Sequence, residues 1–344
     1  MEIYLPIADT YVNIFVILGL GLVVGFLSGL LGIGGGIILN PALIKIGIPP
    51  ITTVGTSVAQ MVGATVSGFI SHLKLKNIDI KMGIVLIIGG FVGGGLGVIL
   101  AKALEDAGHF RTFVLSLYAF YLAFTGITMF KDILTSKKEK KKSNFDKLIE
   151  NLPFKMRFAF TEISVLVPLG IGFISGFLAA VMGVGGGFVV IPALMYLVKY
   201  PVEKAVGLSL FQMIFITSYL TFFHSVVNNG VDIVLALILM IGSSIGAVFG
   251  ATFGQRLNKN ITKLIMAIIV SAVSIISFYQ LIFDKPKEKT GLHVAHNHIS
   301  NFALNEPYLY AISVIIISLV LGFIISSITH KVKFILEMKL KKFN

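Results

Sequence analysis

Two glycine clusters dominate the chemistry this chain can offer. Gly32-Ile-Gly-Gly-Gly36 and Gly183-Val-Gly-Gly-Gly187 each stand four residues before a Pro-Ala-Leu, at Pro41 and Pro192. Glycine lets the backbone leave a helix and lets a ligand approach the main chain closely. A helix that starts just after such a break points free N–H groups and the positive end of its dipole at the same place, which suits an anion without any buried cation. Gly34, Gly35 and Gly36, with Gly185, Gly186 and Gly187, are therefore the leading candidate substrate ligands; close helix packing is the alternative use of the same residues.

A second candidate group is polar and uncharged. Ser57 and Gln60 lie three apart, as do Ser209 and Gln212, so each pair falls on one helix face. Thr53, Thr56 and Thr65 add hydroxyls near the first pair. Amides and hydroxyls can donate to an oxyanion, or they can bond helix to helix in a membrane bundle. Asn40 adjoins the first glycine cluster but its counterpart is Ile191, so any Asn40 contact to a substrate is one-sided. His72 and His224 close matching segments, either as titrating gates or proton relays or as interfacial polar ends. His293, His296 and His298 read as a solvated loop, and no metal site or cofactor is expected.

These residues sit in an apolar chain. It has 344 residues, 56% hydrophobic and 13% charged, with a mean hydropathy of +0.94; soluble domains carry about 25% charged residues. Stretches such as 84–101 and 231–254 are long enough to cross a hydrocarbon core of about 30 Å. The segments fall at 11–31, 34–48, 51–72, 82–101, 111–130, 162–182, 186–199, 205–225, 232–254, 261–283 and 308–329, with 34–48 and 186–199 too short to span comfortably. The net charge of +12 gathers in loops and tail rather than along a groove, which argues for membrane topology and against nucleic acid. The absence of cysteine removes disulfides and thiolate chemistry. The first residues carry no basic stretch, so no cleavable signal peptide is expected.

The two halves repeat each other. Beyond the glycine clusters, Gly55, Ser57, Gln60, Met61 and His72 match Gly207, Ser209, Gln212, Met213 and His224, and Gly89, Gly93 and Gly97 match Gly242, Gly246 and Gly250. The last two series are small-residue ladders that fit helix packing. The expected organisation is a first membrane repeat over 1–131, a basic cytoplasmic linker over 132–160, a second repeat over 161–283, an external loop over 284–307, and an extra transmembrane helix with a basic, lipid-facing tail over 308–344. With the linker and tail placed inside, Lys74, Lys76, Lys81, Lys199, Lys204, Arg256, Lys259 and Lys263 also fall inside, and the Lys- and Arg-free loop 225–230 falls outside. The N-terminus is then external, the C-terminus cytoplasmic, and the repeats inverted. The fold class is an all-α polytopic membrane protein of two inverted helical repeats, each with a Gly-rich break.

The paired motifs, Leu31-Gly-Ile-Gly-Gly-Gly and Met182-Gly-Val-Gly-Gly-Gly with their Pro-Ala-Leu sequels, resemble the signature of the sulfite exporter TauE/SafE family, the TSUP transporters, over about 11–283. The resemblance implies a plasma-membrane permease for sulfite, sulfoacetate, other sulfonates or related organic anions. Three functions stay open on residues alone: a secondary anion transporter, a passive anion channel, and a membrane-embedded enzyme or assembly factor. The last lacks a nucleophile–base pair, a His-Glu-x-x-His or a Walker motif, so no enzyme activity is expected. Intramembrane carboxylates typical of cation carriers are nearly absent. The sequence leaves the oligomeric state open.

The lysine distribution makes a direct prediction. Reporters fused after Lys142 and at the C-terminus should both read cytoplasmic, and one inserted within 225–230 should read external. Linker and loop reporting the same side would rule out inverted repeats.

Overall fold

The structure, a computed structural model, describes residues 1–31, 35–73, 79–135, 152–254, 259–284 and 297–343. Each half opens with a small antiparallel hairpin: β1 (Glu2–Leu5) with β2 (Thr10–Asn13), and β3 (Lys155–Arg157) with β4 (Glu162–Ser164). Five helices follow in the first half: α1 (Ile14–Leu31), α2 (Gly36–Ile46), α3 (Pro50–Leu73), α4 (Ile80–Asp106) and α5 (Phe110–Thr135). The second half repeats the order with α6 (Leu166–Met182), α7 (Gly187–Tyr196), α8 (Val202–Asn228), α9 (Ile233–Gly254) and α10 (Lys259–Phe283). A short α11 (His298–Asn305) and a long α12 (Pro307–Phe343) complete the chain. Among the described residues, six helices, α4, α5, α8, α9, α10 and α12, are long and apolar enough to cross a membrane. This is an all-α polytopic membrane protein.

The helices bear out the segment pattern. The hairpins do not follow from it. The β3–β4 hairpin straddles the expected boundary between 160 and 161. Strands of three or four residues are too short to show a period-two pattern. The two short segments are helices of 11 and 10 residues, about 16 Å long at 1.5 Å per residue, half of what a span needs.

Contacts between halves are reciprocal. α1, first in its half, packs along α9, fourth in the other; α4 packs along α6 in the same way, and these are the two most extensive pairings. Both run parallel, and both are glycine seams. A methyl group on Gly21, Gly25 or Gly29 would collide with the backbone of Leu239, Ser243 or Ala247, and one on Gly242, Gly246 or Gly250 would collide with the carbonyl oxygens of Leu18, Leu22 or Phe26. Gly89 and Gly93 meet the carbonyls of Leu169 and Phe173 on the other side. The ladders are packing devices, which let backbones touch where lipid offers no hydrophobic drive. Corresponding helices run antiparallel: Gly55 at the start of α3 faces Gly230 just past α8, whereas Gly68 faces Leu210 near its start. α5 and α10 do likewise, with the Ser274 hydroxyl donating to Ala119 O at 2.7 Å and the Arg111 guanidinium reaching Gln280 O at 3.5 Å.

An aspartate latches each parallel pair at its N-terminal end. Asp79 caps α4, accepting from Met82 N at 3.2 Å, and its other oxygen accepts from Ala159 N at 2.7 Å and from the Tyr200 hydroxyl at 2.9 Å. Asp232 caps α9, accepting from Leu235 N at 3.1 Å, and its other oxygen accepts from Ile7 N at 2.8 Å and Ala8 N at 3.2 Å. The backbone donors Ala159, Ile7 and Ala8 belong to the hairpin turns of the opposite halves, and Tyr200 lies just before α8. Burial raises the Asp232 carboxyl above the ordinary carboxylate value, and the N–H groups of Leu235, Ile7, Ala8 and Val234 pull it back. Each carboxylate thus sets the register of a glycine seam by tying the turn before one helix to the cap of its neighbour.

Replacing either aspartate with alanine orphans buried N–H donors and removes a cap. We expect a loss of about 1–3 kcal/mol for each, read as a lower melting temperature of the purified protein, with asparagine milder because it keeps one acceptor. An unchanged melting temperature in both alanine variants would show that the latches do not hold the seams.

Candidate functional site

The second glycine cluster is a true helix break. α6 ends at Met182, and Gly183, Gly185 and Gly186 take φ values of 66°, 74° and 79°, a region where L side chains are strained and glycine is not. α7 then starts at Gly187. In the first cluster Gly35 is the N-cap of α2 with φ −75° and Gly36 is its first residue; Gly34 lies outside the described residues. Both short helices therefore begin at the last glycine of their motif.

The two motifs meet. A methyl on Gly36 would overlap the carbonyl oxygen of Gly183 and lie 2.8 Å from Val184 Cα. The crossing point sits against the middles of α3 and α8: Met61 and Met213, each near the centre of its helix, both approach Gly185. Every residue of α3 from Ile51 to Gly63 is buried. That sheath explains how α3 carries so many hydroxyls, since none of Thr53, Thr56 and Ser57 meets lipid.

A helix that stops inside the bundle leaves carbonyl oxygens unpaired, and three side chains serve those of α6. The Asn40 Nδ2 reaches the carbonyls of Met182 and, at 3.2 Å, Gly183. The Tyr118 hydroxyl donates to Met182 O at 2.6 Å and stands 3.2 Å from Gly36 O, with Asn40 Nδ2 3.0 Å away. His224 holds Ala180 O at 2.9 Å through Nε2, while its Nδ1 is 2.9 Å from Asn228 Nδ2. An amide nitrogen is a donor only, so Nδ1 accepts and Nε2 carries the hydrogen given to Ala180. These contacts occupy the negative end of α6, where an anion would otherwise meet bare carbonyls.

The other candidates fall as follows. Ser57 donates to Asn40 Oδ1, so this pair is joined to itself and to α6. Ser209 is fully buried with its hydroxyl 3.9 Å from Met213 Sδ. Gln60 Nε2 donates to Ser243 Oγ, and Gln212 Nε2 donates to Ser175 Oγ at 2.9 Å. Both serines in turn donate to the carbonyl three residues earlier, Met240 and Gly172. Their single hydrogens are thereby used, which fixes each glutamine with its nitrogen toward the serine. Both glutamines are 2% exposed, and the Oε1 of each has no hydrogen-bond partner among the described residues. His224 is wholly buried, one turn before the end of α8. His72 lies in the last turn of α3, with its side chain outside the described part. His298 starts α11, and His293 and His296 lie outside the described residues. Tyr118 is the functional neighbour that sequence reasoning missed.

A chain of duplicated halves, with broken helices facing one another at its buried centre, defines the class: a polytopic membrane protein of transporter architecture. The family model described as sulfite exporter TauE/SafE matches residues 17–277, and the chain belongs to that family of membrane transporters. It is 26% identical over 208 residues, 58% of this chain and 73% of the relative, to the "Probable membrane transporter protein YunE" of Bacillus subtilis (strain 168). It is 30% identical over 195 residues, 55% of this chain and 64% of the relative, to the "Probable membrane transporter protein MJ0441" of Methanocaldococcus jannaschii. A shorter match, 36% over 88 residues, 25% of this chain and 20% of the relative, is to the "Sulfite exporter TauE/SafE family protein 6" of Arabidopsis thaliana. No solved structure matches the chain.

The bonds around Asn40 predict a specific failure. Asn40→Ala should cost about 1–3 kcal/mol through the unpaired carbonyls it leaves, and should lower the melting temperature while the folded fraction keeps its anion affinity. A loss of affinity at unchanged melting temperature would instead make Asn40 a ligand.

Proposed function

We propose that this protein is a secondary transporter that exports small sulfur-containing or organic anions, such as sulfite, sulfoacetate or other sulfonates, across the plasma membrane. Its N-terminus is external and its C-terminus cytoplasmic. The observation that carries this reading is the meeting of the two glycine motifs, one from each half, at the middles of α3 and α8. There the first residue of α2 meets the break that precedes α7, and the carbonyls at the end of α6 are engaged by Asn40, Tyr118 and His224. Main-chain N–H groups and two helix dipoles remain to hold a negative charge, with no lysine or arginine needed.

The antiparallel pairing of corresponding helices, α3 with α8 and α5 with α10, supports an inverted rather than a parallel duplication. In such a pair the halves exchange roles as access alternates around one central site. Gln60 and Gln212 flank that site in matching positions, each with one further amide hydrogen beyond the bond to serine. A standing anion channel needs a continuous wetted path, and the buried crossing point favours a carrier.

Flux through proteoliposomes tests the class. A carrier saturates with sulfite and shows counterflow; a channel shows neither. Gly35→Ala adds no backbone strain, because Gly35 has an ordinary helical φ, but its methyl would collide with Cγ1 of the buried, β-branched Val24. We expect weaker anion binding together with a lower melting temperature. Gly186→Ala adds backbone strain at φ 79° and should lower both. Gln60→Leu or Gln212→Leu should weaken binding by about 0.5–1.5 kcal/mol, or more where the anion accepts the bond. Stability losses with affinity preserved across all four variants would assign these residues to packing.

A further inference from the structure

Two methionines fill the space in front of the glycine motifs. Met61 follows Gln60 on α3 and Met213 follows Gln212 on α8, in matching positions of the two halves, and each is 1% exposed. A methyl built on Gly36 would stand 2.6 Å from Met61 Cε; one on Gly185 would stand 2.6 Å from Met61 Sδ and 2.7 Å from Met213 Cε. One thioether therefore touches both motifs and the other touches the second. One turn further along, Thr65 and Thr217 give their hydroxyls to Met61 O and Met213 O, both at 2.7 Å. The Thr217 methyl is turned to the same spot, 3.9 Å from the point a Gly185 side chain would occupy.

The face presented to the motif backbone is thus apolar and made of the most pliable side chains available. Methionine is unbranched, has three rotatable side-chain bonds and moves between rotamers without backbone change. An anion reaching the N–H groups has to displace these thioethers first. We propose that Met61 and Met213 form a paired plug that occludes the central site, swinging aside as the anion enters so that the two membrane faces are never connected. The proposal rests on the anion-carrier reading given above, and it assigns these residues a positioning and sealing role that no motif in the sequence marks.

The chain contains no cysteine, so a single thiol introduced as Thr217→Cys reports on the plug without background. We would measure its modification by an anionic methanethiosulfonate, with no other anion substrate added, in backgrounds carrying Met61→Ala, Met213→Ala or both. In parallel, radiolabelled sulfite flux and counterflow would be measured for the native protein, the same alanine variants and Met61→Leu in proteoliposomes. We expect modification to rise several-fold in the double alanine variant and by less in each single one. The double variant should leak sulfite without saturation or counterflow, whereas Met61→Leu, bulky but stiffer, should stay sealed and run more slowly.

An unreactive thiol together with preserved saturable counterflow in the double variant overturns the plug. If the double variant is not recovered folded, the single variants decide by the same criteria. A native protein that shows no saturable anion flux, but whose thiol still becomes reactive when the methionines are removed, keeps the plug and overturns the anion-carrier reading.

Discussion

A helix that ends inside a membrane leaves several carbonyl groups with no water to bond them, and each unpaired group costs several kcal/mol there. α6 ends at Met182, wholly buried within the bundle, where water is equally excluded. Much of the centre follows from that ending. Asn40 comes from the opposite half, Tyr118 from α5 and His224 from α8, and all three converge on the last carbonyls of α6. Ser57 orients Asn40, and Asn228 fixes the tautomer of His224. The polar side chains of the bundle interior thus work first as partners for a broken backbone. On the anion-carrier reading, the N–H groups that open α7 would be the part of the main chain that meets the substrate.

The same economy runs through the helix pairs. α1 with α9 and α4 with α6 join the halves by backbone contact along glycine seams, so their register leaves little slack: a shift of one residue would drive side chains into carbonyl oxygens. Asp79 and Asp232 fix that register at one end of each seam. Their donors, Ala159 and Ala8, occupy equivalent turns, so the latches obey the same two-fold relation as the helices.

Duplication made the sequence readable. Glycine clusters, ladders and the Ser–Gln pairs stand out because each occurs twice in the same order, and the helices fall where the apolar segments predict. The hairpins escaped notice because strands this short carry no periodic signal. The latches were visible in principle, since Asp79 stands as far before Gly89 as Asp232 stands before Gly242; single aspartates at helix starts simply look like caps. Tyr118 had no such cue, because it lies beyond the last residue matched between the halves. The roles of Asn40 and His224 needed geometry: sequence places a polar side chain near a site but does not say whether it faces the ligand or the protein.

α12 stands outside the duplication, yet it packs against both α3 and α8. Gly322 meets the backbone of Gly63, and the Tyr310 hydroxyl donates to Val231 O at 2.8 Å. An ideal two-fold molecule would have equal free energies in its two access states, because exchanging the halves turns one into the other. In a carrier of that kind, a helix that leans on the central pair, with no counterpart among the described residues, would remove that degeneracy. The resting population between the faces of such a carrier would then be set by an element that belongs to neither half, and could be shifted without touching the site at all.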